Sequence, residues 1–519
     1  MSQVHEKWIV DFLNNNTESS YIGSELKKFL IDEFPTLKEA NARKVISDCI
    51  KKGIIKSTAP VKFGNNEFVY YSVQAKNNFE LFKHNIKKYK PKLHSAIFAL
   101  KRNSGILSYN ELCKITGAYE NGNLHGVNIT GLLNDFKFLN IAELKEFNGI
   151  KFLVFKNHIF TEERINNVVE DLKDKNLVLY QSLLWMSRNN IISSNKQLYF
   201  GEGNNYNGVQ NNDTVWDAFC YTNTVGLGDQ TKEFQTIVVI DFLHKHKYEE
   251  YDFSGFKSRV DHLLYSVKGE KRKVLPIIIA TDFSPVARAL INKNNYMCFD
   301  LDSLLGKNAF GIARRYQKSI KEIREKIKNH RENEIQDNIY EFCNYLHDNK
   351  TEINYQNLKG DLFEYLMYPV FTKIFDKRND HITHSFSKSV DGKKFECDYR
   401  IETESENIFV ELKGYKKDYI IPLGEYDQEK KKIASNQCVK WFLCETYENA
   451  KKAVGQERKP SFCYITTASI SDEAKEALID RKKDKPNDLE SYYEREALIE
   501  LLNKYGFKKE VKIIENYFI

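Results

Sequence analysis

Residues 394–414 read KFECDYRIETESENIFVELKG, and this stretch decides how the C-terminal part of the chain is interpreted. One strand-like run reaches Asp398, a polar and acidic turn follows, and an apolar run then delivers Glu411 and Lys413. Asp398 and Glu411 are 13 residues apart, which is enough for a two-strand hairpin that brings both carboxylates together. Residues two apart on a strand share a face, so Glu411 and Lys413 point to the same side. A polar face inside an apolar strand is a poor core and indicates an active site.

A helix is predicted before this stretch, over residues 357–368. It contains Glu364 among apolar neighbours: Leu362, Phe363, Leu366 and Met367. Downstream, residues 462–468 predict a core strand, and Ser471 is a predicted N-cap for a helix over Asp472–Leu478. Residues 509–518 are interpreted as a closing strand.

The order of helix Glu364, strand Asp398 and then Glu411-x-Lys413 on the next strand resembles the PD-(D/E)XK nuclease superfamily. Cys397 stands where that superfamily often has a proline. The resemblance covers roughly residues 355–470 and implies an α/β/α nuclease domain over residues 351–519. The alternative is a set of surface salt bridges on an ordinary α/β domain.

The resemblance also implies roles for the four side chains in hydrolysing phosphodiester bonds. Asp398 and Glu411 would hold Mg²⁺, for which Mn²⁺ can substitute, with the Leu412 carbonyl as a further ligand. Glu364 would orient a metal-bound water or help to bind a second ion. Lys413 would orient the attacking water or stabilise charge in the transition state.

A helix predicted over residues 426–436 follows the hairpin. In this superfamily such a helix often contacts phosphate, which makes Gln428, Lys431 and Lys432 candidate DNA contacts. A solvated basic helix face is an equally good interpretation.

The N-terminal residues 1–75 predict three short helices and then a hairpin that turns at residues 64–66. That order resembles a winged helix-turn-helix. The third helix would be the recognition helix, with four basic residues available to DNA: Lys38, Arg43, Lys51 and Lys52.

A second winged-helix candidate covers residues 88–160. Ser108 is a predicted N-cap, and Asn148-Gly149 is a strong hairpin-turn signal. Winged helices also serve as protein-binding or spacer modules. These two segments are therefore interpreted either as DNA-binding modules or as protein-binding or spacer modules.

Residues 165–310 predict a restriction-endonuclease-like α/β domain. Asp217 sits early on one predicted strand, and Asp241 ends the next, so the two acids could share a metal. However, Leu243 stands where a lysine would be needed, and no helix glutamate is predicted nearby. We therefore interpret this domain as a degenerate nuclease fold; a generic α/β domain is the alternative.

A basic helix is predicted to link the halves, within residues 311–350. Between residues 311 and 331 there are eight basic residues and two acids, on a helix with one apolar face. Arg314, Arg315 and Lys318 are candidate phosphate contacts, although such a run is often only a solvated face.

Composition narrows the remaining possibilities. A chain of 519 residues, with 41% hydrophobic and 29% charged, predicts a globular protein of several domains. No apolar run is long enough for a membrane span, no signal peptide is evident, and nine scattered cysteines without a CxxC pair favour a reduced cytoplasmic protein. The net charge of +6 does not oppose nucleic-acid binding, because the basic residues gather locally.

The sequence therefore predicts a Mg²⁺-dependent DNA endonuclease, similar to modular restriction enzymes or other antiviral defence nucleases, that acts on double-stranded DNA. One convincing site predicts nicking, or a homodimer on DNA. Two alternatives stay open: a nuclease activated by a partner or signal or acting at transposon ends, and a DNA-binding regulator or scaffold whose nuclease folds are both spent.

Overall fold

The protein is described as a computed structural model, which covers every residue apart from several short ranges. The residues outside the description are 1, 76–78, 119–127, 148, 157–160, 194–198, 201–207, 212–213, 223–235, 269–271, 330, 332–333, 350–354, 377–379, 391–392, 428–431, 434–437 and 455–457. The chain divides into two compact units, Met1–Ala309 and Phe310–Ile519. Both contain helices and sheets, so the prediction of a multidomain α/β protein is confirmed in this coarse form. Within the described ranges, no helix is both long and apolar enough to cross a membrane.

The first unit begins with three helices and a three-stranded antiparallel sheet of strand order β1-β3-β2. The elements are α1 (Ser2–Asn14), β1 (Tyr21–Ile22), α2 (Gly23–Glu33), α3 (Glu39–Lys51), β2 (Ile55–Ser57) and β3 (Val69–Ser72). Ile9, Leu26 and Ile46 meet in the core between the helices, because apolar residues recur on one face of each. The predicted helices and hairpin are present; the winged-helix assignment itself stays a prediction.

After one additional helix, α4 (Phe79–Tyr89), the same order of helices and strands follows a second time, with strand order β4-β6-β5. The elements are α5 (Pro91–Arg102), β4 (Ile106–Ser108), α6 (Tyr109–Thr116), α7 (Ile129–Phe138), β5 (Ala142–Phe147) and β6 (Ile150–Phe155). The Ser108 side chain accepts a hydrogen bond from the Glu111 amide, as the sequence predicts for an N-cap. Asn148 of the predicted turn lies outside the described residues.

A five-stranded sheet of order β7-β10-β11-β12-β13 completes the first unit. Its elements are α8 (Glu162–Arg188), β7 (Tyr199–Phe200), β8 (Val209–Asn211), β9 (Thr214–Trp216), β10 (Ala218–Thr222), β11 (Thr236–Leu243), α9 (Glu250–Ser266), β12 (Val274–Ala280), α10 (Pro285–Lys293), β13 (Met297–Asp300) and α11 (Leu301–Leu305). Strand β11 is buried along nearly its whole length because helices and neighbouring strands cover it, which explains its continuous apolar run.

The second unit contains another five-stranded sheet, of order β14-β15-β16-β20-β22. The helices and strands up to the middle of the unit are α12 (Ala309–Lys328), α13 (Ile335–Asp348), α14 (Gln356–Ile374), β14 (His381–Val390), β15 (Lys393–Glu402), β16 (Glu406–Lys413), β17 (Ile420–Ile421), β18 (Tyr426–Asp427) and β19 (Lys432–Ile433). The remainder are α15 (Val439–Trp441), a π-helical turn (Phe442–Tyr447), α16 (Glu448–Val454), β20 (Lys459–Thr466), β21 (Ser469–Ile470), α17 (Asp472–Ile479), β22 (Tyr492–Tyr493), α18 (Arg495–Lys504) and α19 (Lys508–Tyr517).

Two secondary-structure predictions in the second unit are wrong. The predicted closing strand over residues 509–518 is helix α19, in which Val511 and Ile514 are buried three residues apart, as helical spacing requires. The predicted helix over residues 426–436 contains the strands β18 and β19, where Tyr426 pairs with Ile433. This segment has few apolar residues from which a helix could form a buried face, and Ile433 of β19 is buried.

The predicted linking helix is α12, and it packs into the second unit. Its apolar face is buried, and Tyr316 meets Phe342 of α13 at 5.6 Å between ring centroids. The Tyr316 hydroxyl also donates to Asp361 of α14 at 3.1 Å. The helix is therefore part of the body that contains Glu364.

Gly255 sets how closely α9 approaches α6. A Cβ at this position would lie 2.5 Å from the carbonyl oxygens of Ile115 and Lys114. We expect Gly255→Ala to lower the free energy of unfolding of the first unit by about 1–3 kcal/mol, measured by denaturant unfolding, because backbone would have to move. Gly131→Ala in α7 is the control: nothing lies within 4 Å, and a helical alanine is favoured. Equal stability of the two variants would contradict the close packing.

Candidate active site

The hairpin of β15 and β16 places Asp398 beside Glu411. The strands are antiparallel, and Tyr399 pairs with Val410. Asp398 directly precedes one member of this pair, and Glu411 directly follows the other, so both acids lie at the same end of the ladder. The predicted hairpin is present.

Hydrogen bonds fix this end of the hairpin. The Leu412 amide donates to Asp398 Oδ2 at 2.6 Å, which holds one carboxylate oxygen against the neighbouring strand. Lys413 Nζ donates to Glu411 Oε1 at 2.6 Å, so the two side chains meet on one face of β16. Each acid keeps a second oxygen for another partner.

Glu364 reaches the same place from helix α14. Its backbone carbonyl accepts a hydrogen bond from the Tyr399 hydroxyl at 2.8 Å, which ties the helix to β15 next to Asp398. Its carboxylate is 3.1 Å from His384 Nε2 on strand β14. Sequence reasoning missed His384, since β14 was not predicted as a strand.

The electrostatics link the four predicted side chains. Burial and the charge of Glu411 raise the pKa of Asp398 well above its usual value, although Lys413 opposes this shift. Burial, with a contribution from Asp361, raises the pKa of Glu364 to about 8. Burial lowers the pKa of Lys413, but Glu411 and Asp398 outweigh it, so this pKa is raised. Three carboxyl groups thus interact with one lysine, so the site has more acidic than basic side chains.

The site is open to solvent on one side. The side chain of Glu364 is 27% exposed and that of Lys413 is 22% exposed, whereas Glu411 is 10% exposed. A ligand can therefore approach Lys413 and Glu364 from solvent, while Glu411 lies deeper in the site.

The donor set fits a hard divalent cation. Within the described ranges, no group of three or more His, Cys, Asp or Glu side chains forms a ready metal cage. Mg²⁺ does not need one, because it usually binds through one or two carboxylates and keeps waters or substrate oxygens as its other ligands. Asp398 and Glu411, each with a remaining oxygen, meet that requirement, and a bound cation would stabilise the ionised form of Asp398 that burial and Glu411 disfavour.

The second candidate pair, Asp217 and Asp241, lies in a different environment. Lys114 Nζ is 2.6 Å from Asp217 and 3.8 Å from Asp241. Lys175 Nζ is 2.8 Å from Asp217, and Arg259 is 2.7 Å from Asp241. The charges of Asp217 and Asp241 are therefore already offset by neighbouring lysine and arginine side chains.

A glutamate also belongs to this group, contrary to the sequence prediction that no helix glutamate is placed there. Glu111 of α6 bonds to Lys175 and lies 3.3 Å from Lys114. It comes from a segment about a hundred residues before Asp217, so local sequence patterns could not indicate it. Arg259, Lys114 and Lys175 were missed for the same reason.

The candidate DNA contacts on α3 lie at the surface. Lys38, Arg43, Lys51 and Lys52 are all exposed. Arg43 is 2.8 Å from Glu39, and Lys52 is 2.5 Å from Glu6, so two of the four already have acidic partners.

The other candidate contacts are in the second unit. On α12, Arg314 and Lys318 are exposed and Arg315 is half-buried; Arg315 is 2.7 Å from Glu341, and Lys318 is 3.6 Å from Glu322. Gln428 and Lys431 lie outside the described residues, and Lys432 is on strand β19, where a helix was expected.

Comparison with known proteins adds little to this geometry. No family model and no curated protein matches the sequence. A repair endonuclease from Pyrococcus abyssi is similar over 31% of this chain and 64% of its own, with 14% identity and a TM-score of 0.17. EndoMS in complex with double-stranded DNA is similar over 30% of this chain and 62% of its own, with 15% identity and a TM-score of 0.18. The chain thus spans less than two thirds of either protein, and at these TM-scores neither likeness bears on its function.

Proposed function

We propose that the second unit hydrolyses phosphodiester bonds of double-stranded DNA with Mg²⁺, and that the N-terminal helical modules contribute DNA binding. One observation carries this proposal: Glu364, Asp398, Glu411 and Lys413 converge at a partly open surface where three carboxylates share one lysine. A cation-deficient group of acids beside an accessible lysine is suited to a metal-assisted reaction on an anionic substrate.

Each of the four side chains would have a distinct role. Asp398 and Glu411 would hold the ion through the oxygens that Leu412 N–H and Lys413 leave available. Lys413 would present its ammonium to the attacking water or to the phosphoryl oxygens as negative charge develops there. Glu364, oriented by His384, would hold a water by hydrogen bonding. When bound, Mg²⁺ would lower the pKa of a water and neutralise charge on the phosphate.

The test is cleavage of supercoiled plasmid. We expect nicked or linear product with Mg²⁺, no product with a chelator, and no product from Asp398→Asn, which keeps the size of the side chain but removes its charge. Undiminished cutting by Asp398→Asn would contradict the proposal. Tight binding that is insensitive to metal, with no cleavage under any divalent ion, would favour the DNA-binding scaffold. Cleavage only after addition of a partner would favour a regulated nuclease.

A further inference from the structure

The sheets of the two units have the same topology. Read from the edge, β7-β10-β11-β12-β13 corresponds to β14-β15-β16-β20-β22. In both sheets the first two pairings are antiparallel and the next two are parallel. A long helix precedes each sheet, α8 in one and α14 in the other, and a serine-capped helix, α10 or α17, precedes the last strand. The units therefore contain two copies of one architecture.

The correspondence extends to single residues at the acids. Ala218 pairs with Ile240 in the first unit as Tyr399 pairs with Val410 in the second. Asp217 directly precedes Ala218, as Asp398 precedes Tyr399, and Asp241 follows Ile240, as Glu411 follows Val410.

One hydrogen bond is repeated with the same length. The Phe242 amide donates to Asp217 Oδ2 at 2.6 Å, and the Leu412 amide donates to Asp398 Oδ2 at 2.6 Å. Asp217 and Asp398 are therefore held in the same way, each by an amide of the next strand.

The positive charges are placed differently. Leu243 takes the position of Lys413, and Lys175 lies on the helix that precedes the sheet, as Glu364 does in the second unit. A second ammonium, from Lys114, reaches the acids from α6. With Arg259, three cations face the three carboxylates of Glu111, Asp217 and Asp241, and no charge is left to attract an ion.

The two groups of acids also differ in their exposure to solvent. The side chain of Asp217 is 1% exposed, and those of Lys175 and Lys114 are 4% and 6% exposed. A cavity of about 370 Å³ next to this group is lined by Glu111 and Lys175, whereas Asp217 and Asp241 are not among its lining residues. The ammonium of Lys175 thus lies between this cavity and Asp217. Asp241 lines a separate cavity of only about 20 Å³, together with Glu111, Lys114 and Arg259.

We propose that the first unit is a second copy of the nuclease-like core in which the ammonium groups of Lys114 and Lys175 occupy the place of a divalent ion. The residues do not fit a metal, because each of the three acids is already paired with a lysine or arginine in a cluster whose charges balance, and the strand acids are buried. The cluster instead joins α6, α8 and α9 to the sheet, and so fixes the second helical module on this unit. Together with the proposed function, on which this last step rests, each chain would have one metal site, in its second unit.

Mn²⁺ titration by calorimetry tests this. The background chain carries Asp398→Asn and Glu411→Gln, which removes the candidate acids of the second unit. We expect no saturable Mn²⁺ binding by the background. Adding Lys114→Met and Lys175→Met should create one site per chain, and Asp217→Asn should remove it again. Saturable binding by the background that Asp217→Asn abolishes would overturn the proposal, and so would a folded double-lysine variant that takes up no Mn²⁺.

A second measurement covers the case in which the double-lysine variant does not fold. The melting midpoint of the background chain is compared in chelator and in Mn²⁺, before and after Asp217→Asn. We expect each chain to melt at the same temperature with and without the ion. A midpoint that Mn²⁺ raises only when Asp217 is present would overturn the proposal. Both measurements detect metal binding and not DNA cleavage, so a failure of this proposal can be distinguished from a failure of the proposed function.

Discussion

Lys413→Met is expected to reduce Mg²⁺-dependent plasmid cleavage by about 10²–10³-fold, the range seen when one preorganised charge-stabilising donor is removed from an active site. Methionine keeps most of the length of the side chain but removes the ammonium. Lys413 is the lysine that the three carboxylates share, so the variant also leaves Glu411 without its partner at 2.6 Å. The measurement is the initial rate of loss of supercoiled plasmid at saturating Mg²⁺.

The matched control is Lys416→Met, three residues further along the chain. Lys416 is exposed, so its variant should cut at the wild-type rate. Lys413→Arg keeps the charge but presents it in a planar fork, and we expect activity between that of Lys413→Met and wild type. Melting curves in Mg²⁺ confirm that each variant is folded. A rate for Lys413→Met that matches Lys416→Met would remove the lysine from the mechanism.

The local part of the candidate site could be predicted from the sequence. Asp398, Glu411 and Lys413 lie on two consecutive strands, and the alternation of side chains along a strand is a local property. Glu364 was found because its neighbours on the predicted helix, such as Phe363 and Leu366, are apolar. The N-caps Ser108 and Ser471 were predicted for the same reason, since a cap bonds within its own first turn.

The features that the sequence did not predict are those that depend on how a segment packs against the rest of the fold. Strand β14 is the edge of its sheet, and its inward face is only half-buried. His384 stands between Ile382 and Phe386 on that face, so the apolar alternation is interrupted there and His384 was missed. Helix α19 alternates apolar and polar residues over part of its length, which also fits a strand, and only packing decides between the two.

The cluster around Asp217 shows a second limit. Its acids were predicted from strand ends, but their charge balance depends on Lys114, Lys175 and Arg259, which come from three different helices. The leucine at position 243 favours a degenerate nuclease fold from the sequence alone, but the ion pairs that neutralise Asp217 and Asp241 appear only when the helices are packed on the sheet.

Arg259→Leu is expected to lower the free energy of unfolding of the first unit by about 3–5 kcal/mol, because breaking a buried ion pair leaves an uncompensated charge. Arg259 is 1% exposed, donates to Asp241 at 2.7 Å and to the Val215 carbonyl at 2.8 Å, and lies over the Trp216 ring. Arg288→Ala is the control: its pair with Asp300, at 3.2 Å, is nearly half exposed, and such pairs contribute about 0–1 kcal/mol. Both are measured by denaturant unfolding. If the two variants lost equal stability, Asp241 would not depend on Arg259, and the cluster would not be held together by its buried ion pairs.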